Sequence, residues 1–166
     1  ARRIAGIRPT VVLPQVQPTC LVDEGTGLVD CGNWRESASW RVPDEAISGI
    51  YIARLMRPDT GAASHIVFVV RDDVRRSDVL MQTADTTWQA YNDYGGASLA
   101  GGGAARRASR ASYDRPFATR RTSPSNWLFG AEYPMVRWLE ANGYDVTYAA
   151  GADTDRRGAL LANHRV

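Results

Sequence analysis

Lysine is absent from this chain: all 20 of its basic residues are arginine. Physical chemistry gives no reason to bar lysine from every solvated position. A GC-rich coding sequence is the simpler cause, because arginine codons are GC-rich. Net charge is also scarce, and a value of +2 is too small to mark a nucleic-acid partner. No apolar run approaches the roughly 20 residues of a membrane span. Ala1–Ile7 lacks the apolar middle and small-residue cleavage site of a signal peptide, so it says nothing direct about export. His65 and His164 are the only histidines and sit in no ligand motif, which argues against zinc. There is no Gly-x-Ser-x-Gly nucleophile elbow. Gly101-Gly102-Gly103 lacks the Lys and Ser/Thr of a phosphate loop.

What is present is an ordinary globular composition. The 166 residues are 44% hydrophobic, enough for one domain or two small ones. Cys20 and Cys31 enclose a short polar loop, a spacing that suits a disulfide and an extracellular location. Two free thiols in a reducing cytoplasm are the alternative reading. The most informative stretch is Ser77–Gly96. Val79, Leu80 and Met81 read as a buried strand, followed by a helix capped at Asp85 or Thr86 and closed by Gly95-Gly96. A strand feeding a capped helix places polar side chains at the carboxyl edge of a sheet, where open α/β folds hold their sites. Here that edge carries Asp85, Thr86, Thr87, Trp88, Gln89, Tyr91, Asn92 and Tyr94. A packed aromatic corner without a ligand is the plainer alternative.

The rest of the chain divides by pattern. Trp34 and Trp40 flank a polar run that reads as a strand, Gly49–Leu55 alternates as a half-buried strand, Pro58–Gly61 is a turn, and His65–Arg71 is a more apolar strand. These suggest a β-sandwich portion over residues 1–71. Arg71–Ser77 is a charged connector, and residues 77–166 alternate strand and helix, which predicts a doubly wound α/β domain. Residues 97–125, poor in apolar side chains, read as a long mobile loop. Pro134 opens a helix with Met135, Val136, Trp138 and Leu139 on its apolar face, with Glu132 in its first turn or, as the alternative, serving as a local carboxylate. Tyr144–Tyr148 alternates as a strand, Asp153 or Thr154 caps a helix containing Leu160 and Leu161, and Val166 reads as the first residue of a further strand.

Several ordered motifs carry a resemblance. Trp88-Gln-Ala-Tyr-Asn-x-Tyr-Gly-Gly96, Ser112-Tyr-x-Arg-Pro-Phe117, Glu132–Val146 and Asp153-Thr-Asp-Arg156 resemble the C-terminal region of the N,N-dimethylformamidase large (beta) subunit family. Trp40-x-Val-Pro43 and Ser48-Gly-Ile-Tyr51 resemble the β-sandwich portion just before it. The resemblance implies a β-sandwich followed by a glutamine-amidotransferase-like α/β domain, and a secreted bacterial hydrolase of small linear amides. It implies iron held by phenolates and a carboxylate: Tyr91 for one phenolate, with Tyr94 as its rival, and Tyr51 for the other. Trp88, Asn92 and Tyr113 are the substrate-pocket candidates. The carboxylate and a catalytic His are expected in a His-x-Glu element beyond Val166. The chain therefore reads as a fragment, expected to be inactive and marginally stable alone because its sheet edge is unfinished. The competing reading is a secreted, non-enzymatic surface or binding module that retains the fold. No nucleic acid and no membrane span are expected with either reading.

Overall fold

The computed structural model describes residues 3–101, 106–118 and 127–166. Its elements are β1 (Leu21–Asp23), β2 (Leu28–Asp30), β3 (Gly49–Met56), β4 (Ala63–Val70), β5 (Val79–Gln82), α1 (Asp85–Tyr91), β6 (Ala97–Ser98), β7 (Arg106–Arg107), α2 (Leu128–Ala131), α3 (Tyr133–Ala141), β8 (Val146–Ala149) and α4 (Gly151–Arg157). A 3-10 helix follows over Gly158–Asn163. Among the described residues the strands form two-stranded sheets: β1–β2 and β3–β4 antiparallel, β5–β8 and β6–β7 parallel. This is a mixed α/β fold of small sheets. The described elements do not by themselves make the expected β-sandwich or the amidotransferase-like sheet. Residues 31–48, expected to hold a Trp-bearing strand, carry none. No helix among the described residues is long and apolar enough to cross a membrane.

The chain separates into two compact units: Ala1–Pro43 with Gln89–Thr122, and Asp44–Trp88 with Ser123–Val166. The division expected at Arg71–Ser77 does not coincide with them, because β3–β4 and β5–β8 lie in the same unit. The cause is a shared core. Val136 and Leu139 of α3 and Val146 and Tyr148 of β8 form its centre, with Ile50 of β3, Val69 of β4, and Val79 and Met81 of β5 packed against it. The Tyr148 N–H donates to Ser48 Oγ at 2.9 Å, tying the start of β3 to the middle of β8.

In that second unit β5 and β8 run parallel from Val79↔Val146 to Gln82↔Ala149. On the other edge of β5, Val166 N–H donates to Asp78 O at 3.0 Å and Leu80 N–H donates to Val166 O at 2.7 Å. All residues of β8 are buried rather than alternating. Val146 and Tyr148 face the α3 core, while the Thr147 hydroxyl lies 2.8 Å from Ser77 Oγ. Helix α3 buries only Val136 and Leu139; Met135 and Trp138 are each half exposed. A helix this short meets the sheet along one narrow i, i+3 line, and Trp138 packs sideways on Tyr144 instead, ring centroids 5.1 Å apart. Helix α4 starts earlier than the expected cap, and Asp153 acts from its third position by accepting the Ala150 N–H at 2.9 Å. Leu160 and Leu161 fall in the 3-10 helix that follows.

The first unit is built on the β1–β2 hairpin. Cys20 and Cys31, which flank it, are joined as a disulfide. Asp23 shapes the turn by accepting Gly25 N–H and the Thr26 hydroxyl, each at 2.9 Å. Gly95 is held at φ +82°, and a Cβ there would stand 2.7 Å from Val29 Cγ1, so only glycine fits against the hairpin. Part of the stretch expected to be a loop is built in. Ala108 N–H donates to Ser98 O at 2.8 Å, Ser112 Oγ donates to Asp30 at 2.6 Å, and Arg115 is buried. Residues 102–105 and 119–126 of that expected loop lie outside the described residues.

Candidate functional site

At the carboxyl edge of β5 and β8 the two strand ends are stitched by a carboxylate. Asp85 opens α1, and its Oδ1 accepts the Thr83 hydroxyl at 2.8 Å and the Gly151 N–H at the start of α4. Thr83 N–H itself donates to Ala149 O at 2.9 Å. Thr83 and Asp85 are both buried. Beside them Glu132, at the junction of α2 and α3, turns inward and accepts the Ala84 N–H. Burial pushes the Glu132 carboxyl above the ordinary range, and the Asp85 charge adds to this; the Ala84 N–H and the Trp88 side chain oppose it. Trp88 stacks on Trp127 at 5.2 Å between ring centroids, and both are buried. Glu132 is 8% exposed, so it meets the Ala84 peptide and not a ligand from solvent. Its arrangement favours the protonated form and fixes the entry into α1.

In the first unit the end of α1 and the residues after it are clasped by Arg115. Its Nη1 donates to Tyr94 O at 3.3 Å and Ala97 O at 3.2 Å, and its Nη2 to Gln89 O at 3.2 Å. Burial lowers the guanidinium below its ordinary value, and the Asp93 charge opposes that. Asn92 is fully buried and answers in the other direction. Its Nδ2 donates to Pro116 O at 3.0 Å and its Oδ1 accepts Ala118 N–H at 2.9 Å. Thus the motif around Asn92 and the motif around Arg115, separate in sequence, interlock.

The predicted site residues are distributed as follows. Tyr91, the last residue of α1, is 44% exposed, and Tyr94 is half-buried. Tyr94 N–H reaches Asn92 Oδ1 at 3.4 Å, so these two expected residues are neighbours. Tyr113 is exposed. Tyr51 and Trp88 belong to the second unit, Tyr91, Tyr94, Asn92 and Tyr113 to the first. Tyr51 lies on β3 with its ring 5.8 Å from Phe68, and its hydroxyl donates to Ile47 O at 2.9 Å. Sequence reasoning missed Arg115 and placed Glu132 in a helix's first turn, with a local carboxylate role as the alternative. The available signal was the Arg of Ser112-Tyr-x-Arg-Pro-Phe117, a charge directly followed by Pro and Phe.

The fit of a hard metal ion differs between these residues. Phenolates suit ferric iron, and Tyr91 presents its phenol at an exposed helix end. Tyr51 does not fit as placed, because a metal-bound phenolate has no proton to donate to Ile47 O. No group of three or more His, Cys, Asp or Glu among the described residues is placed to hold a metal. The second unit also has a cleft lined by Arg71, Asp73, Thr147, Asp153, Arg157 and His164. Its charges pair with one another, Arg71 with Asp73 at 2.9 Å and Arg157 with Asp73 at 2.6 Å, which makes it an ion-pair network.

Residues 2–166 match the protein family described as N,N-dimethylformamidase beta subunit-like, C-terminal. No curated protein matches the chain.

Proposed function

The chain belongs to the N,N-dimethylformamidase beta subunit-like, C-terminal family, and from that premise we propose that the protein carrying it hydrolyses small linear amides. The observation that carries this reading is the family match over residues 2–166, which takes in every motif named above. Amide hydrolysis needs a polarised carbonyl, an activated water and a proton for the leaving amine. Iron is part of the proposal, with Tyr91 as phenol donor and Tyr94 as its rival. Tyr51 joins such a site only by giving up its bond to Ile47 O. Bound iron would supply Lewis acidity and lower the pKa of bound water. Trp88, Asn92 and Tyr113 are the pocket residues of this proposal; Tyr113 is exposed, whereas Trp88 and Asn92 are buried.

The test is product analysis. The full-length protein that carries this chain, incubated with N,N-dimethylformamide, is expected to release formate and dimethylamine in equal amounts, read by proton NMR. Formamide, N-methylformamide and acetamide serve as further substrates. No release from any of them overturns the hydrolase reading. That outcome would leave the second reading, a secreted binding module, which the Cys20–Cys31 bridge favours because disulfides persist in oxidising compartments.

A further inference from the structure

We infer that Arg115 is a positioning residue, whose role is to set the direction in which the segment Gln89–Ala97 presents Tyr91 and Tyr94. The geometry is a two-way clasp. One guanidinium reaches the carbonyls of Gln89, Tyr94 and Ala97, so it grips the segment at both ends and in the middle. Asp93, inside the same segment, adds its charge to the hold. In return Asn92 reaches out of the segment to Pro116 O and Ala118 N, just after Arg115 in the chain.

The energetics argue for direction over simple stability. A buried guanidinium is expensive to desolvate, and an apolar side chain of similar size commonly stabilises an interior as well or better. What an apolar side chain cannot do is select one arrangement of several carbonyls. The planar fork of arginine does so, because its donors point in fixed directions. Beyond the end of α1, Gly95 and Gly96 both adopt positive φ, and the turn is tied by Asn92 N–H to Gln89 O at 3.2 Å, Gly96 N–H to Asp93 O at 2.9 Å, Ala100 N–H to Ala90 O at 3.0 Å and Arg106 N–H to Gly96 O at 2.9 Å, to which the guanidinium adds the carbonyls of Gln89, Tyr94 and Ala97. Tyr91 and Tyr94 sit on that segment. Their orientation therefore depends on the clasp.

This inference rests on the hydrolase reading only for what the tyrosines do, so its test has a readout that does not need activity. The variants are R115K, which keeps the charge and loses the fork, and N92A, which removes the return contacts without leaving a charge unpaired. Hydrogen–deuterium exchange of the full protein follows the amides of Asn92, Gly96 and Ala100, with the Gly27 amide of the β1–β2 turn as internal reference. At least tenfold faster exchange in the segment, with the Gly27 amide unchanged, is the expected result for both variants. Unchanged exchange in the segment overturns the inference, and so does equal acceleration at Gly27, which would make Arg115 a general stabiliser of the unit. If a variant fails to fold while the other shows no local change, the inference is likewise overturned. Where the wild-type protein hydrolyses N,N-dimethylformamide, R115K should lower kcat at least tenfold with KM within about threefold. An unchanged kcat would contradict the positioning role. A wild-type protein with no activity sinks the hydrolase reading and leaves the exchange result to decide this one.

Discussion

Glu132 shows how a single residue sets a pH dependence. Its carboxyl is raised by burial and by Asp85, so the folded state favours the protonated form more than the unfolded chain does. A group of this kind contributes stability at pH below its unfolded value, about 4.3, and that contribution is lost as pH rises through the higher folded value. Glu132→Gln keeps an oxygen for the Ala84 N–H and removes the titration. The variant is expected to melt higher than the wild type at pH 8, with the difference shrinking towards pH 4. A gap that does not change with pH would show that Glu132 is not the titrating group. Trp88 gives the packing counterpart. It is buried against Trp127, so Trp88→Ala should cost about 3–5 kcal/mol in urea unfolding. A cost under roughly 1 kcal/mol would mean the site collapses without loss.

At the scale of elements, the β1–β2 hairpin and the turn after α1 are joined by one close approach. Gly95 and Gly96 have similar positive φ, +82° and +86°, but a Cβ at Gly95 would collide with Val29 whereas one at Gly96 meets nothing within 4 Å. Gly96→Ala should therefore cost only the backbone term, roughly 1–2 kcal/mol. Gly95→Ala should cost clearly more, and equal losses would contradict the contact. The disulfide adds a second device. Its cysteines are separated by 11 in sequence, so replacing both with Ser should remove about 2–3 kcal/mol from the first unit. The sequence made the strands β3, β4, β5 and β8 and the helices α1 and α3 legible, because periodicity and capping act locally. It made the division of the chain illegible. Whether Ile50 and Val69 cover their own layer or the α3 core is a tertiary choice that alternation in β3 and β4 cannot express. The same holds for Met135 and Trp138, whose helical spacing matched a core face that Val136 and Leu139 alone supply. Arg115 was hidden for another reason: a charged residue in a Gly- and Ser-rich stretch reads as solvated until its carbonyl partners, many residues earlier, come into view.

Across the whole molecule, family membership and the interlocking of its motifs support each other. The motif that carries Tyr91 and the motif that carries Arg115 meet in one unit, while the carboxyl edge of β5 and β8 is held by Asp85 and Glu132 in the other. Tyr91 is exposed in the first of these. Removing its oxygen leaves the ring and the clasp in place, so Tyr91→Phe separates chemistry from folding. The most direct measurement is the rate of formate release from N,N-dimethylformamide by the wild type and by Tyr91→Phe, with melting temperature and bound iron determined on the same samples. Hydrolysis by the wild type is expected, with at least a hundredfold loss in Tyr91→Phe, a barrier difference of roughly 2.7 kcal/mol or more, and an unchanged melting temperature. A Tyr91→Phe protein that hydrolyses the amide at the wild-type rate would contradict it.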